Sequence, residues 1–359
     1  MPHSNVTRLR VKPLLAALVT GGIFICVWSL MALARQARGD SRQMFEFQQS
    51  SDCKSLANSG SWAPLNDTIS CSNLTATPCG ADTASHWSWA APAVQCGTRQ
   101  ITQDQGRALF RDAWLVVAGD SIGRFFFAAL LRLLSDSGEY QIVVGHRDFE
   151  YSFPGGTRAT FLWAPYATNL TAHLHTWEQA KRAPDFLVLS CGLWHMLHIT
   201  DPIDFAATMH VFKDAAAAFT QAHSKDGRGP QTALFSITEV YPPRLRTEEK
   251  RQHLTLPMVD AYNQAIAASG ILAPPGTMTL IDMHHLTQGC GPTCTHDGLH
   301  YSNMTYDAAV QIFANQIRSG ESGESQHQQS RLSSLQRSHP DDATMSSFHR
   351  VEMSGKAIS

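Results

Sequence analysis

The chain has no extended basic run, and its 28 Lys and Arg against 30 Asp and Glu leave a formal net charge of −2. A nucleic-acid partner needs Lys and Arg clustered on one face, so that class is excluded. Charge is absent altogether from Leu14 to Ala34. At 1.5 Å rise per residue, about 20 apolar residues span a bilayer core, so residues 14–34 predict a transmembrane signal anchor behind a cytoplasmic tail at 1–13. A cleaved signal peptide has an apolar region of about 7–15 residues and a small-residue cleavage site, and Trp28-Ser29-Leu30-Met31 is a poor approach to one. The flanks lack a charge bias that would orient the helix, because Arg8, Arg10 and Lys12 face Arg35, Arg38 and Arg42. Apolar residues are scarce beyond Arg318, where Ser, Gln and His dominate. Such a segment buries too little surface to offset its ordering entropy, so residues 319–359 predict a disordered tail.

Cysteines and sequons supply the orientation that charge does not. Past the anchor stand Cys53, Cys71, Cys79, Cys96, Cys191, Cys290 and Cys294, together with glycosylation sequons at Asn66, Asn73, Asn169 and Asn303. Both features belong to an oxidising lumen. Four of the thiols crowd into an irregular stretch and two flank the loop before Asp297. This spacing predicts disulfides that staple the N-terminal stretch, and further join it to that loop. Cys191 is the thiol left over, because Phe186-Leu187-Val188-Leu189-Ser190-Cys191 reads as a buried strand in which a free thiol packs as a small apolar side chain.

The organisation that follows is a polar stem at 35–52, a Cys- and Trp-containing subdomain at 53–105 and a catalytic core at 106–318. Trp114–Ala118, Gln141–Val144, Ala159–Leu162, Phe186–Leu189, Ala233–Ile237 and Met278–Ile281 read as strands. Phe125–Leu134, Ile203–Ala222 and Val259–Ala268 carry the clearest helical patterns between them. Such alternation predicts an α/β fold with a mostly parallel sheet covered on both faces. Reactive groups are then expected at the carboxyl ends of the strands.

One such end carries Val116-Val117-Ala118-Gly119-Asp120-Ser121, a strand that breaks at a glycine and runs into a helix. Far downstream, Asp297-Gly298-Leu299-His300 places an acid and an imidazole three residues apart. The carboxylate can orient a ring that deprotonates Ser121, a Ser-His-Asp reading. Gly-Asp-Ser alone is weak, since Asp and Ser are ordinary helix caps; the late Asp-x-x-His is what raises it. Ser121's own amide and the first free amides of its helix are expected to face a developing oxyanion. Arg124, one turn on, is a further oxyanion or substrate candidate, set against a solvated or salt-bridged arginine. His284, His285, His296 and His300 around Cys290 and Cys294 fit zinc by composition only, since their spacings match no zinc module and a lumenal cysteine pair is more often a disulfide.

Gly119-Asp120-Ser121 with Arg124, the Gly192-Leu193-Trp194-His195 block and Asp297-x-x-His300 resemble the SGNH-type PC-esterase group. That group includes the trichome-birefringence-like polysaccharide O-acetyltransferases and the luminal domain of sialate O-acetyltransferase. Asp260-Ala261-Tyr262-Asn263-Gln264-Ala265 looks more like the second, and the single anchor and Cys-bearing lead-in more like the first. The resemblance covers roughly residues 110–315 and implies an SGNH-hydrolase-like three-layer sandwich preceded by a disulfide-stapled N-terminal subdomain. Where SGNH hydrolases usually carry a Gly-x-Asn, Asn is missing here. Gly192 can still offer an amide to the oxyanion, and Trp194 or His195 can line a sugar site, although a packed Trp and a structural His are equally open. The resemblance further implies a Golgi type II enzyme that moves an acetyl group onto a glycan hydroxyl through acetyl-Ser121. It needs no bound cofactor, and an acetyl donor such as acetyl-CoA serves as co-substrate. A carbohydrate acetylesterase with the same triad, and a glycan-binding SGNH-fold protein that no longer catalyses, remain as alternatives.

Overall fold

The computed structural model describes residues 52–64, 85–135, 145–224, 229–273 and 276–319. The anchor at 14–34, the strand expected at Gln141–Val144, Cys71, Cys79, Asn66, Asn73 and the tail from 320 onward lie outside the described residues. In chain order the elements are α1 (Cys53–Leu56), β1 (Gly60–Pro64), β2 (Ser85–Trp89), α2 (Ala91–Gln95), α3 (Gln103–Leu109), β3 (Trp114–Gly119), α4 (Ser121–Leu134), β4 (Phe149–Ser152), β5 (Arg158–Trp163), α5 (Ala167–Glu178), β6 (Phe186–Leu189), α6 (Leu193–His198), α7 (Pro202–His223), β7 (Gln231–Phe235), α8 (Glu248–His253), α9 (Leu256–Ala268), β8 (Thr279–Ile281) and α10 (Met283–Cys290). A last helix, α11, runs over 303–319.

The main sheet has the order β4-β5-β3-β6-β7-β8. All its pairings are parallel except that of β4 with β5. Central strands such as Leu115–Ala118 and Leu187–Leu189 are buried throughout, as continuous apolar runs covered by helices on both faces must be. The chain proceeds from β3 to β5 on one side and then crosses to β6 on the other. The carboxyl end of β3 is therefore the switch point, where an open α/β sheet leaves a crevice.

The helices owe their length to matched caps and stripes. Asp201 accepts bonds from the Ile203 and Asp204 amides at 2.8 and 3.3 Å to start α7. Phe205, Met209, Phe212, Ala216 and Phe219 then recur at helical spacing and are all buried. Truncating Phe212 in that stripe is expected to cost about 3–5 kcal/mol. Next to Ser121, α4 starts on Asp120, which accepts from the Ile122 amide at 2.9 Å. It buries Phe126 against Phe313 of α11, with ring centroids 6.1 Å apart.

The N-terminal stretch is sewn to the core by hydrogen bonds rather than by the disulfide the spacing suggested. Cys53 pairs with Cys96, which staples the N-terminal stretch as expected, and Cys290 pairs with Cys294, so neither described bridge joins the stretch to the loop; Cys191 is free and buried. Asn58 donates to the Leu280 carbonyl at 2.9 Å and accepts from the Asp282 amide at 2.9 Å. Trp62 donates its indole N–H to the Leu286 carbonyl at 2.8 Å. Gln311 and Asn315 of α11 each bond both the amide and the carbonyl of a residue on the lead-in, Ile101 and Arg99. The described residues 52–64 and 85–105 accordingly lie in the same compact unit as the sheet. The short β4, the β1–β2 pair and α10 carry too few residues for periodicity to reveal them, and the sequence reading passed over them.

Candidate active site

Ser121 is the first residue of α4, immediately after β3 at the switch point. The loop that meets it is a turn closed by an antiparallel bridge between Thr295 and Tyr301. Inside that turn, Asp297 Oδ1 accepts from the Leu299 and His300 amides at 3.0 and 2.8 Å, and Thr295 Oγ1 accepts from the Gly298 amide at 3.0 Å. Gly298 sits at φ +81°, and a Cβ there would lie 2.5 Å from the Tyr241 carbonyl oxygen. Both conditions require glycine. The turn is so tight that acid and imidazole can only face the same way.

The result is one line of hydrogen bonds. His300 Nδ1 lies 2.7 Å from Asp297 Oδ2, and His300 Nε2 lies 2.8 Å from Ser121 Oγ. Burial raises the Asp297 carboxyl, but the bonds and charge from His300 and the Leu299 amide outweigh it and hold the group well below the usual carboxylate range. An ionised Asp297 keeps a proton on Nδ1, which leaves Nε2 to accept one from the serine. Phe125 packs beside the ring at 5.3 Å and is itself stacked on buried Tyr306.

Asp120 supports the turn. Its buried carboxylate accepts from the Ile122 amide at 2.9 Å and from Ser190 Oγ at 3.2 Å, and burial raises it against these bonds. The expectation that Ser121's own amide and the first free amides of the helix face an oxyanion is narrowed here, because Asp120 takes up the Ile122 amide and draws on that of Gly123. Gly192 precedes α6 at φ +122°, where a Cβ would collide with Ile237 Cδ1 at 1.9 Å.

Other expected site residues are placed elsewhere. Arg124 is turned inward, 8 % exposed, and donates from Nη1 to the Gly145 carbonyl at 3.1 Å. Its Nε has no hydrogen-bond partner among the described residues. His195 is buried, with Nε2 2.9 Å from Asp204 Oδ2 and Nδ1 2.7 Å from the Tyr262 hydroxyl; it ties α6, α7 and α9 together. The residues weighed for zinc point apart. Cys290 and Cys294 pair with each other, His284 bonds Glu239 at 2.9 Å, and His285 bonds the Gly60 carbonyl at 3.0 Å. Asn169 and Asn303 are exposed, each at the start of a helix.

Trp194 is half-buried in a ring cluster that the sequence reading missed. Around it stand Trp163 at 5.5 Å, His146 at 5.2 Å and Tyr166 at 6.3 Å between centroids. Trp163 at the end of a strand beside the switch point was a usable signal. His146, in a loop without periodicity, gave none.

A serine, an imidazole and a carboxylate in one hydrogen-bonded line at the carboxyl edge of an α/β sheet are the equipment of a serine esterase or acyltransferase. No family model matches the chain. It is similar to Protein ALTERED XYLOGLUCAN 9 of Arabidopsis thaliana, with 29% identity over 251 residues, 65% of this chain and 68% of that protein. That relative is of the trichome-birefringence-like family whose motifs the site residues resemble. Among solved structures, the chain is similar to LAE5, an α/β hydrolase enzyme from the metagenome of Lake Arreo, Spain (13% identity, TM-score 0.37, 58% of this chain and 96% of that one). An aryl esterase of M. Smegmatis (14%, 0.37, 58% and 99%) and Axe2, an acetylxylan esterase from Geobacillus stearothermophilus (13%, 0.36, 58% and 95%), are similar to the same degree.

Proposed function

We propose that the protein is an O-acetyltransferase that moves an acetyl group onto a polysaccharide hydroxyl through acetyl-Ser121. The observation that carries this reading is the line from Asp297 through His300 to Ser121, with spacings of 2.7 and 2.8 Å. His300 Nε2 takes the serine proton as Oγ attacks the acetyl carbonyl carbon of the donor. The oxyanion then faces the Ser121 and Gly192 amides, and His300 returns the proton to the leaving group. In the second half the acceptor hydroxyl gives its proton to His300 and attacks the acetyl carbon, and Ser121 leaves protonated. Arg124 serves indirectly, by fixing Gly145 beside the elbow.

The relative's name supports a polysaccharide as the acceptor class, and the motif resemblance supports transfer rather than hydrolysis. A second reading, a carbohydrate acetylesterase, uses the same line with water as acceptor. The partial exposure of Ser121 and His300 favours it, because transfer requires that water be kept from the acyl-enzyme. The intact line counts against a glycan-binding protein without catalysis. The reading extends to a Golgi membrane enzyme anchored at 14–34 with its core in the lumen, supported by the four sequons and by the two described disulfides. Incubation with an activated acetyl ester or acetyl-CoA, with and without unacetylated xyloglucan oligosaccharide, tests both parts. Acetylated oligosaccharide supports transfer; free acetate at the same rate with and without acceptor moves the assignment to the esterase. Protease treatment of sealed microsomes that removed the core would overturn the lumenal placement.

A further inference from the structure

Two tryptophans meet across the strand that delivers Ser121. Trp163 ends β5 and pairs in register with Gly119, while Trp194 lies in the first turn of α6, just after β6. Strands β5 and β6 flank β3 on opposite sides. Rings from those two flanks approach to 5.5 Å, at 84° to one another, so they bridge the strand that lies between β5 and β6, toward its carboxyl end. That is where Gly119-Asp120-Ser121 leaves the sheet. A third ring, exposed His146, stacks on Trp163 at 4.1 Å and 10°.

The cluster is held firmly. Trp163 donates its amide to Asp148 Oδ1 at 2.8 Å, and Arg124 Nη1 fixes Gly145 from α4, one turn past Ser121. The loop carrying His146 is thus tied at both ends to the elements that form the elbow. Trp163, Tyr166 and Trp194 each remain half-exposed. Half-buried rings, one of them in register with Gly119 two residues before Ser121, are open to a ligand, and sites with aromatic walls and a few polar tips are where small units of ligand bind.

We infer that His146, Trp163 and Trp194 form an acceptor subsite that takes one neutral pyranose unit of a polysaccharide; this rests on the acetyltransferase reading. A pyranose ring shows a face of C–H groups and a rim of hydroxyls. The aromatic faces take the first, and the imidazole of His146 and the hydroxyl of Tyr166 bond the second. The charges of Arg147 and Asp148 oppose each other on the same loop, so the surface suits an uncharged sugar better than a phosphorylated donor. A unit seated there presents a hydroxyl to acetyl-Ser121. Its oxygen bonds the acetyl carbon, the bond from that carbon to Oγ breaks, and the hydroxyl proton passes through His300 to Oγ.

The test measures binding without turnover. The full-length Ser121→Ala chain is titrated calorimetrically with unacetylated xylo-oligosaccharide and xyloglucan oligosaccharide, and separately with coenzyme A. Trp163→Ala, Trp194→Leu and His146→Ala are added in turn, with Ile203→Ser, an exposed α7 residue, as the control. Either tryptophan change should weaken oligosaccharide binding roughly tenfold, the loss expected for one aromatic contact, with the control unchanged. His146→Ala should weaken it by about threefold, and its exposure makes it the variant that folds if the tryptophan variants do not. Unaltered affinity in every variant that folds overturns the subsite, as does coenzyme A binding that is lost in place of sugar binding. Loss of sugar binding here would stand even if the wild-type chain formed no acetyl-serine, which separates this inference from the reading it rests on.

Discussion

Among the described residues, two chains of carboxylate, imidazole and hydroxyl can be set side by side, and the proposed chemistry runs through one of them. In the first, Asp297, His300 and Ser121 are spaced at 2.7 and 2.8 Å; in the second, Asp204, His195 and Tyr262 are spaced at 2.9 and 2.7 Å. Distances do not distinguish them. The hydroxyl of the first sits on a partly exposed serine at a helix start over the switch point, whereas Tyr262 is 0 % exposed and burial pushes its phenol up. The polarity of the water-facing end is inverted too: the exposed partner in the second chain is the acid, Asp204, whose side chain is 56 % exposed. A hydrogen-bonded relay is thus a structural tie when its nucleophilic end is sealed and a reactive device when that end meets a crevice.

Substitutions that should separate the two chains most widely are Ser121→Ala and His300→Ala. Each is expected to lower turnover of an activated acetyl ester by several orders of magnitude, roughly 10⁴-fold or more, and the double variant should be scarcely worse, because such residues act as one unit. Steady-state and single-turnover kinetics check both points. Asp297→Asn comes next, with a loss on the order of 10²–10⁴-fold, since the imidazole loses the partner that sets its tautomer; an unchanged kcat would remove Asp297 from the line. Tyr262→Phe acts on the other chain and should behave oppositely. It leaves His195 Nδ1 without its partner, lowers stability by about 1–3 kcal/mol in thermal or urea unfolding, and preserves activity in the folded protein. The smallest effect is the pH dependence of stability. Because the folded Asp297 carboxyl ionises more readily than the unfolded one, its contribution is present above the ordinary carboxylate range and is lost as pH falls through and below it. The stability difference between the wild type and Asp297→Asn should therefore shrink on acidification, on the order of 1–2 kcal/mol; a difference that grew would reverse the assigned sign.

The same contrast explains what could be read in the sequence. Ser121 and the pair Asp297-x-x-His300 were legible because each is local: a strand-to-glycine-to-helix junction and a turn whose spacing leaves acid and ring one orientation. The strands at Phe186–Leu189 and Trp114–Gly119 showed as unbroken apolar runs because parallel strands are buried on both faces. The tie of His195 to Tyr262 was not legible, since it joins residues 67 apart in the chain across two helices. The disulfide expected between the N-terminal stretch and the loop failed for a related reason. Cysteine spacing gives no partner choice, and the N-terminal stretch is joined instead to β8 and α10 through Asn58, Trp62 and His285, whose side chains bond backbone atoms. The ring cluster at Trp163 and Trp194 became visible only once the sheet order put β5 and β6 on either side of β3.

Trapping of the acyl-enzyme decides whether Ser121 is the nucleophile and His300 its base. Protein mixed briefly with an activated acetyl ester is quenched in acid, digested and mapped by mass spectrometry, with His300→Ala, Tyr262→Phe and Ser121→Ala in parallel. One acetyl group is expected on the peptide containing Ser121 in the wild type and in Tyr262→Phe, and none on that peptide in Ser121→Ala or His300→Ala. Equal labelling of Ser121 in the wild type and His300→Ala, or a burst of ester cleavage retained by Ser121→Ala, would contradict this assignment.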